Sequence, residues 1–420
     1  MISAVSAAQR LDSRGKPTVQ VRVTTDKGQF QALVPSGASK GDYEAIELRD
    51  NNASAYGGKG VETALDVGTD LKKIDALLRE VDGSDDKSRL GANAILGISM
   101  ACARAGAAAQ GVPLYEFLRK ESGSKKPYVI PVPFFNVLNG GVHSGNTMAF
   151  QECMIAPVGA RSMAQAVQMG SEVYQELKKV LTKAFGPTAT GIGDEGGFAP
   201  PISQPHEALD LLVTAVENCG YTGKVKFAMD PASSEFYNGG EYDLGFKGKT
   251  SEKYTGEKLG DLYHQLLDKY PIILLEDPFA QDDWPSWTAF NKTCPVELVG
   301  DDLLATNVDR IEEAKEKGAC NSLLLKINQI GTITEALSAA KLAYELGWSV
   351  FVSHRSGETT DDFIADLTVG LRTGHLKSGS PCRGERVAKY NRLMDIEDEI
   401  KASGAEVIYA GAELRTIHSG

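Results

Sequence analysis

The sequence predicts an α/β protein, a β/α barrel joined to one smaller domain. Two observations carry this reading. An apolar run of strand length that ends in one charged or titratable residue recurs along the second half of the chain. The length agrees, since 420 residues exceed one typical domain but are short for three.

The recurring design is clearest at Ser322-Leu323-Leu324-Leu325-Lys326-Ile327-Asn328-Gln329, an apolar strand that closes on a lysine. Gly331 and Thr332 follow, then a helical pattern from Glu335 to Leu346, as expected of a buried parallel strand feeding a crossover helix. A single lysine so placed can simply snorkel out of a core. Five further segments repeat the pattern, however: Val225 to Asp230, Ile272 to Glu276, Val296 to Asp301, Ser349 to His354 and His375 to Lys377. With Lys326 in its place, the polar ends lie 46, 25, 25, 28 and 23 residues apart. A strand, a helix and two short loops occupy about 30 residues, so most steps are one βα unit. The acids, the lysines and the histidine are therefore expected together on the C-terminal rim, where βα loops build active sites.

From the N-terminus, Val19 to Thr24 and Gln29 to Val34 read as a β-hairpin around Asp26-Lys27-Gly28. The next stretch, Pro35-Ser36-Gly37-Ala38-Ser39-Lys40-Gly41, has the small residues of a loop whose backbone can approach a ligand. Thr63 to Val81 has helical spacing, and Leu90 to Gln110 is an Ala/Gly-rich helix that must pack closely. Polar Glu121 to Lys126 reads as a linker, which divides the chain into an N-terminal domain, 1–125, and a barrel domain, 126–420. Pro131 to Gly141 is a strand running into a glycine turn, with His143 in the loop beyond. In the apolar strand Phe150 to Ile155, Gln151 and Glu152 either bond one another or face a site, because burying a bare carboxylate is costly.

Gly191-Ile192-Gly193-Asp194-Glu195-Gly196-Gly197 satisfies the GxGxxG pattern but fails its context. A Pro/Thr segment precedes it, Phe198-Ala199-Pro200-Pro201 forbids a helix directly after, and two carboxylates occupy the loop. An acid pair on a permissive backbone remains, suited to proton transfer or metal binding.

With 44 basic and 56 acidic residues the net charge is −12, and no Lys/Arg-rich block appears, which argues against nucleic acid as the main partner. Cys102, Cys153, Cys219, Cys294, Cys320 and Cys382 form no CxxC pair and are expected as reduced intracellular thiols. Met1 to Gln20 lacks a signal-peptide core, and no uninterrupted apolar run reaches about 18 residues. A soluble, cytoplasmic protein with no membrane partner is expected.

Asp230, Glu276 and Asp301 offer only oxygen ligands, the set that suits Mg²⁺. No HExxH helix or Cys/His cluster argues for zinc. Lys326, beside Lys377 and a divalent cation, is expected to have its pKa below the free value of about 10.4 and to serve as a base. Glu195, held near Glu152, is expected to be protonated by like-charge repulsion and to assist a leaving hydroxide. An amine base beside a cationic cluster suits proton removal α to a carboxylate, hence metal-assisted β-elimination of water from a hydroxy acid.

Several long segments now stand in a recognisable order: Ser36-Gly37-Ala38-Ser39, Leu138-Asn139-Gly140-Gly141, Gly193-Asp194-Glu195-Gly196-Gly197, Glu276-Asp277-Pro278-Phe279, Leu325 to Gln329 and Ser353-His354-Arg355-Ser356-Gly357-Glu358. On these segments the chain resembles, over nearly its whole length, the enolase (phosphopyruvate hydratase) family of eukaryotic type. The resemblance implies an N-terminal α+β cap and a C-terminal enolase-type barrel whose first elements depart from strict βα alternation. It implies the glycolytic, reversible dehydration of 2-phospho-D-glycerate to phosphoenolpyruvate, with two Mg²⁺ per site, the second arriving with substrate. By position it makes Lys326 the base at C2 and Glu195 the acid, with Glu152 beside it. Asp230, Glu276 and Asp301 hold the first Mg²⁺, and Glu276 and Asp301 also belong to the substrate pocket. Lys377 meets the substrate carboxylate, Arg355 and Ser356 grip the phosphate, and His143, Ser353 and His354 line the pocket. Ser39, on a closing loop, ligates the second Mg²⁺.

The chain departs from the family pattern at Lys40 (usually Thr), Val142 (Ser), Cys153 (Phe) and Gly384 (often Ser), and it is shorter between Gly60 and Asp82. Lys40 and Val142 lie on the two loops that the resemblance closes over substrate. Two other readings are a paralogue that dehydrates a different carboxylic acid and a weakly active scaffold or binding protein on the same fold. Arg355 with Ser356 favours a phosphorylated substrate, and the intact set of ligands, acid and base speaks against the scaffold. Family members pair as two-fold homodimers through arginines near each terminus. Ala8 and Asp395 stand at those positions, facing Asp398 and Gln20, so a looser homodimer is expected.

Overall fold

In the computed structural model, which describes residues 2–50, 71–125 and 127–419, the chain opens on a three-stranded antiparallel sheet. Its strands are β1 (Ile2–Leu11), β2 (Pro17–Thr25) and β3 (Gly28–Leu33), and β2 turns into β3 at the expected hairpin, Thr25 opposite Gly28. Small side chains through Ala4, Ala7 and Ala8 leave β1 no clear alternation to read in the sequence. Val19, Val21 and Val23 of β2 are buried, and the helix Ala92–Gln110 packs on this sheet.

The small residues of that helix permit the approach. A Cβ on Gly97 would lie 2.6 Å from Val21, and one on Gly106 would lie 2.8 Å from Phe117. By length and composition the helix could cross a bilayer, but it is mostly buried inside the N-terminal domain. The helix Leu71–Asp82 contains the described part of the helical pattern from Thr63 to Val81, and residues 63–70 lie outside the described residues. The helix Leu114–Ser122 ends this domain's described elements.

After β4 (Tyr128–Ile130) come β5 (Val132–Asn139), β6 (Glu152–Ala156) and β7 (Lys226–Asp230), then the short strands β8 (Tyr237–Asn238), β9 (Glu241–Asp243) and β10 (Lys253–Tyr254). The series continues with β11 (Ile272–Glu276), β12 (Glu297–Gly300), β13 (Ser322–Leu325), β14 (Ser349–Ser353), β15 (His375–Lys377) and β16 (Val407–Tyr409). Eight of these strands close a barrel in the order β11-β12-β13-β14-β15-β5-β6-β7. β6 runs antiparallel to both neighbours, and the other pairings are parallel. The implied departure from βα alternation is therefore present. The cause is local, since no crossover helix separates β5 from β6, and without one the second strand must return antiparallel.

Strand alternation sorts the barrel interior into layers. Phe134, Met154, Ala228, Leu274, Val299, Leu324 and Phe351 belong to an apolar cluster separate from the main core. Two residues further along the strands lie Asn136, Glu152, Asp230, Glu276, Asp301, Lys326 and Ser353, at one rim. Two residues the other way, on β12 to β14, lie Glu297, Ser322 and Ser349. His375, on β15, joins them in a polar floor: its Nε2 is 2.9 Å from Glu297 Oε1, while Ser322 and Ser349 donate to the same oxygen at 2.7 and 2.6 Å. All six cysteines are free thiols.

Candidate active site

Five of the six residues picked out by spacing, Asp230, Asp301, Lys326, His354 and Lys377, share one cavity, and the sixth, Glu276, does not line it. Glu152, Asp230, Asp301, Lys326, Ser353 and Lys377 from the strands, with Ser39, His143, Glu195, His354, Arg355 and Ser356 from the loops, line one cavity of about 20 Å³. Glu276 lies behind its wall and is reached through Lys377, whose Nζ donates to Glu276 at 2.8 Å.

Lys377 also sits 3.2 Å from Glu152 and 3.5 Å from Asp230. Burial pulls its pKa down, but Glu152, Glu276 and Asp230 outweigh burial and hold it well up, as an ammonium. Lys326 Nζ lies 2.5 Å from Asp301 Oδ2. The expected depression of its pKa is that of a lysine beside Lys377 and a divalent cation, and in the protein alone the balance is different. Burial, Arg355 and Lys377 act downward, yet Asp301 raises it above the ordinary lysine value.

Four carboxylates, Glu152, Asp230, Glu276 and Asp301, face these two ammonium groups, and they are not all satisfied. Glu276 Oε2 is buried without a hydrogen-bond partner. Burial first, then Asp230, pushes Glu276 well up, and burial with Asp301 raises Asp230. An oxygen-only donor set with an orphaned oxygen and surplus negative charge fits a hard divalent cation. The tightest groupings of possible ligand atoms among the described residues differ from the expected trio: His143, Glu152 and Glu195, and Asp277, Asp301 and Asp302, each within 4.8 Å. The second grouping is bonded within itself. Asp277 accepts both the Asp301 and the Asp302 backbone N–H at 2.8 Å, from a backbone at φ 39°. Its carboxylate thus fixes the backbone of Asp301 and Asp302 from a left-handed local conformation, with one lone pair left on each oxygen.

The acid pair lies deep in the same cavity. Glu152 and Glu195 are both buried, and the nearness of Glu195 adds to the cost of ionising Glu152. Arg386, always a donor, occupies His354 Nδ1 at 2.6 Å, and burial lowers the His354 pKa to about 3. Neutral His354 must then carry its proton on Nε2, 3.4 Å from Glu195 Oε2, where Asn136 also donates at 2.9 Å. Burial opposes ionisation of Glu195, but the His354 side and then His143 lower its pKa well below the usual value. Burial and Glu195 push Glu152 well up. The two carboxyls are thus pushed in opposite directions, Glu152 up and Glu195 down. Of the two readings left open for the Gln151-Glu152 pair, the site-facing one is observed: both line the cavity, and Glu152 bonds Glu195 and Lys377.

Arg355 is fully engaged at its tips. Nη1 donates to Glu44 Oε2 and Asn328 Oδ1 at 2.8 and 3.0 Å, and Nη2 donates to Glu44 Oε1 and the Ser39 carbonyl at 3.0 and 3.1 Å. Ser356 Oγ accepts the Ala38 N–H at 2.7 Å. Both residues thus hold the loop that carries Ser39, and an incoming anion must take over part of that role. Lys40 points elsewhere, to Glu47 at 3.1 Å. Around Gly193 and Gly197, which bond each other across the turn at 2.8 Å, no helix follows, in agreement with the rejected dinucleotide pattern.

Sequence reasoning missed Asn136, Asp277, Gln329, Glu44 and Arg386. Gln329 donates to Asp301 Oδ1 at 2.8 Å and was within reach, since it stands three residues after Lys326. Asn136 is an interior polar residue on β5, visible by alternation. Glu44 and Arg386 carry no local signal, because they meet Arg355 and His354 from remote parts of the chain.

Two family models match the chain: "Enolase, N-terminal domain" over residues 2–118, and "Enolase, C-terminal TIM barrel domain" over residues 127–418.

Proposed function

The chain belongs to the enolase family, lyases on the enolase fold, and from this premise we propose that it catalyses the reversible, Mg²⁺-dependent dehydration of 2-phospho-D-glycerate to phosphoenolpyruvate. The observation that carries the reading is the ring position of base and acid. β13, which delivers Lys326, and β6, which carries Glu152, stand four places apart in a ring of eight, so they face each other across the barrel mouth. A substrate between them presents its C2 proton to one side and its C3 hydroxyl to the other.

Once Asp301 is drawn away from it to a bound cation, Lys326 sheds its proton to solvent and its free amine takes the C2 proton; the C2–H electrons pass into the carboxylate as an enolate, and the C3–O bond then breaks. The departing hydroxide leaves as water with the proton held by the Glu152–Glu195 pair, which Glu195 delivers. Lys377 fixes the substrate carboxylate, and Arg355 with Ser356 takes the phosphate in exchange for contacts to the Ser39 loop. Asp230, Glu276 and Asp301 would hold one Mg²⁺, and Ser39 a second. When bound, the metal supplies positive charge that stabilises the enolised carboxylate and competes with Lys326 for Asp301. We also infer a cytoplasmic homodimer, loosened by Ala8 and Asp395.

The test is purified protein with Mg²⁺ and 2-phosphoglycerate, following the ultraviolet absorbance of the enol product and exchange of the C2 proton with solvent. Wild type should do both, Lys326→Ala neither, and Glu195→Gln exchange alone. Exchange at the wild-type rate in Lys326→Ala would remove the base from this scheme.

A further inference from the structure

The loop from Pro35 to Glu44 closes the cavity from the side of the N-terminal domain. Ala38 and Ser39 bond Ser356 and Arg355, and a Cβ on Gly37 would lie 2.0 Å from Arg355 Nη2, so the loop is seated without slack. The 20 Å³ left beneath it holds about one water, so a three-carbon acid reaches the carboxylates only after the loop lifts.

The far end of the loop is fastened outside the cavity. The Arg310 guanidinium lies 3.8 Å from the centroid of the Tyr43 ring and 4.7 Å from that of Trp284. Arg310 belongs to the barrel, where Nε donates to the Leu303 carbonyl and Nη2 to the Gln281 carbonyl, both at 2.8 Å, and it is only 7% exposed. Tyr43 is 41% exposed, and its hydroxyl donates to Asp282 at 2.8 Å. Asp42 and Gln281 bond each other beside it. The Lys40–Glu47 pair differs in kind, because both partners lie before the barrel and cannot fasten the loop to it.

We propose that Tyr43 and Arg310 are positioning residues for the proposed reaction: the barrel-held guanidinium stacked on the Tyr43 ring is the catch that sets how often the loop opens. A planar cation held on the face of an aromatic ring attracts it without any ligand present. The catch lies away from the substrate's path, so substrate need not displace it. Contacts inside the cavity, from Arg355 and Ser356, are the ones an anion replaces. The two sets of contacts therefore divide the work, with the outer one governing access and the inner one answering to substrate.

The test is hydrogen–deuterium exchange of residues 36–43 in the full-length protein without substrate, comparing wild type, Tyr43→Phe and Tyr43→Ala. Tyr43→Ala should speed exchange there by roughly three- to thirtyfold, and Tyr43→Phe, which keeps the ring and loses the Asp282 bond, by clearly less. Association of 2-phosphoglycerate in the presence of Mg²⁺, followed by stopped flow, should quicken in the same order. The inference rests on the proposed reaction only in this last readout, since exchange is measured without substrate or turnover. Unchanged exchange in Tyr43→Ala overturns the catch, and an equal rise in both variants assigns it to the Asp282 bond and overturns the stack. If Tyr43→Ala exchanges faster throughout the barrel, Arg310→Lys decides: it keeps the charge but lacks the plane, and a rise confined to 36–43 supports the catch while none refutes it.

Discussion

Replacing His375 by leucine should destabilise the barrel by about 3 kcal/mol without altering its rim. Glu297 has no exposed surface, and its carboxyl is held down to about 2 from 4.5. Burial works against this, and His375, Ser349 and Ser322 overcome it. A difference of some 2.5 pKa units corresponds to about 3 kcal/mol. That is near the about 3–5 kcal/mol typical when one partner of a buried pair is removed. Because the folded carboxyl titrates below the unfolded one, its stabilisation is complete above about pH 4.5 and is lost as pH falls toward about 2. Urea midpoints at pH 7, read at constant m, should fall for His375→Leu. Glu297→Gln should flatten the loss of stability between pH 4.5 and 2, the window the carboxyl would have titrated. The double replacement Glu297→Gln with His375→Gln should recover most of the loss, since two neutral amides leave no buried charge unpaired. A His375→Leu protein as stable as wild type, or an unchanged acid slope in Glu297→Gln, would refute the reasoning.

Chelation should abolish turnover and Mg²⁺ restore it, and Asp301→Asn should raise the Mg²⁺ concentration required, which calorimetric titration of the metal alone would also register. Gly37→Ala should cut activity by at least roughly tenfold with the urea midpoint unchanged, because the added methyl prevents the loop from seating against Arg355. Lys40→Thr should cost less than about 1 kcal/mol and change KM little, since its side chain is 44% exposed and Arg49 and Ser36 still hold Glu47. In sedimentation velocity over a dilution series, wild type should release monomer at concentrations where Ala8→Arg with Asp395→Arg stays paired. A variant no tighter than wild type would show that those positions do not set the association.

The barrel was legible because its strands are apolar in the middle and polar at their ends, and spacing alone then placed the ends on one rim. Antiparallel β6 was not, because the glycine-rich gap between Asn139 and Gln151 says nothing about strand direction. Alternation also refines one residue: Ser353, not His354, is the interior end of β14, and His354 reaches Glu195 from the loop beyond. Proton positions escaped the sequence for a different reason. What Glu195 accepts depends on Arg386 fixing the His354 tautomer and on Asn136 donating to its Oε2, contacts no local pattern announces. The lysine base read the same way, since its pKa turns on the 2.5 Å approach of Asp301.

Three successive strands, β12 to β14, carry a polar residue at the floor and another at the rim with an apolar residue of the same face between them, and β15 adds His375 to the floor. At a rise of about 3.3 Å per residue, Glu297 and Asp301 stand about 13 Å apart along their strand. The two ends are finished differently. At the floor one hydroxyl each from Ser322 and Ser349 and one ring nitrogen of His375 converge on Glu297 Oε1, which leaves Oε2 of the same carboxylate buried without a hydrogen bond. At the rim, Gln151 Oε1, Asn136 Oδ1, Glu276 Oε2 and both nitrogens of His143 are buried with no partner. An unpaired buried polar group costs about 1–3 kcal/mol, so that end of the barrel carries a cost the floor largely avoids. Groups left unsatisfied where strands converge on a cavity are satisfied by what enters it, and for this reason substitutions at the rim should fall first on binding and those at the floor first on stability.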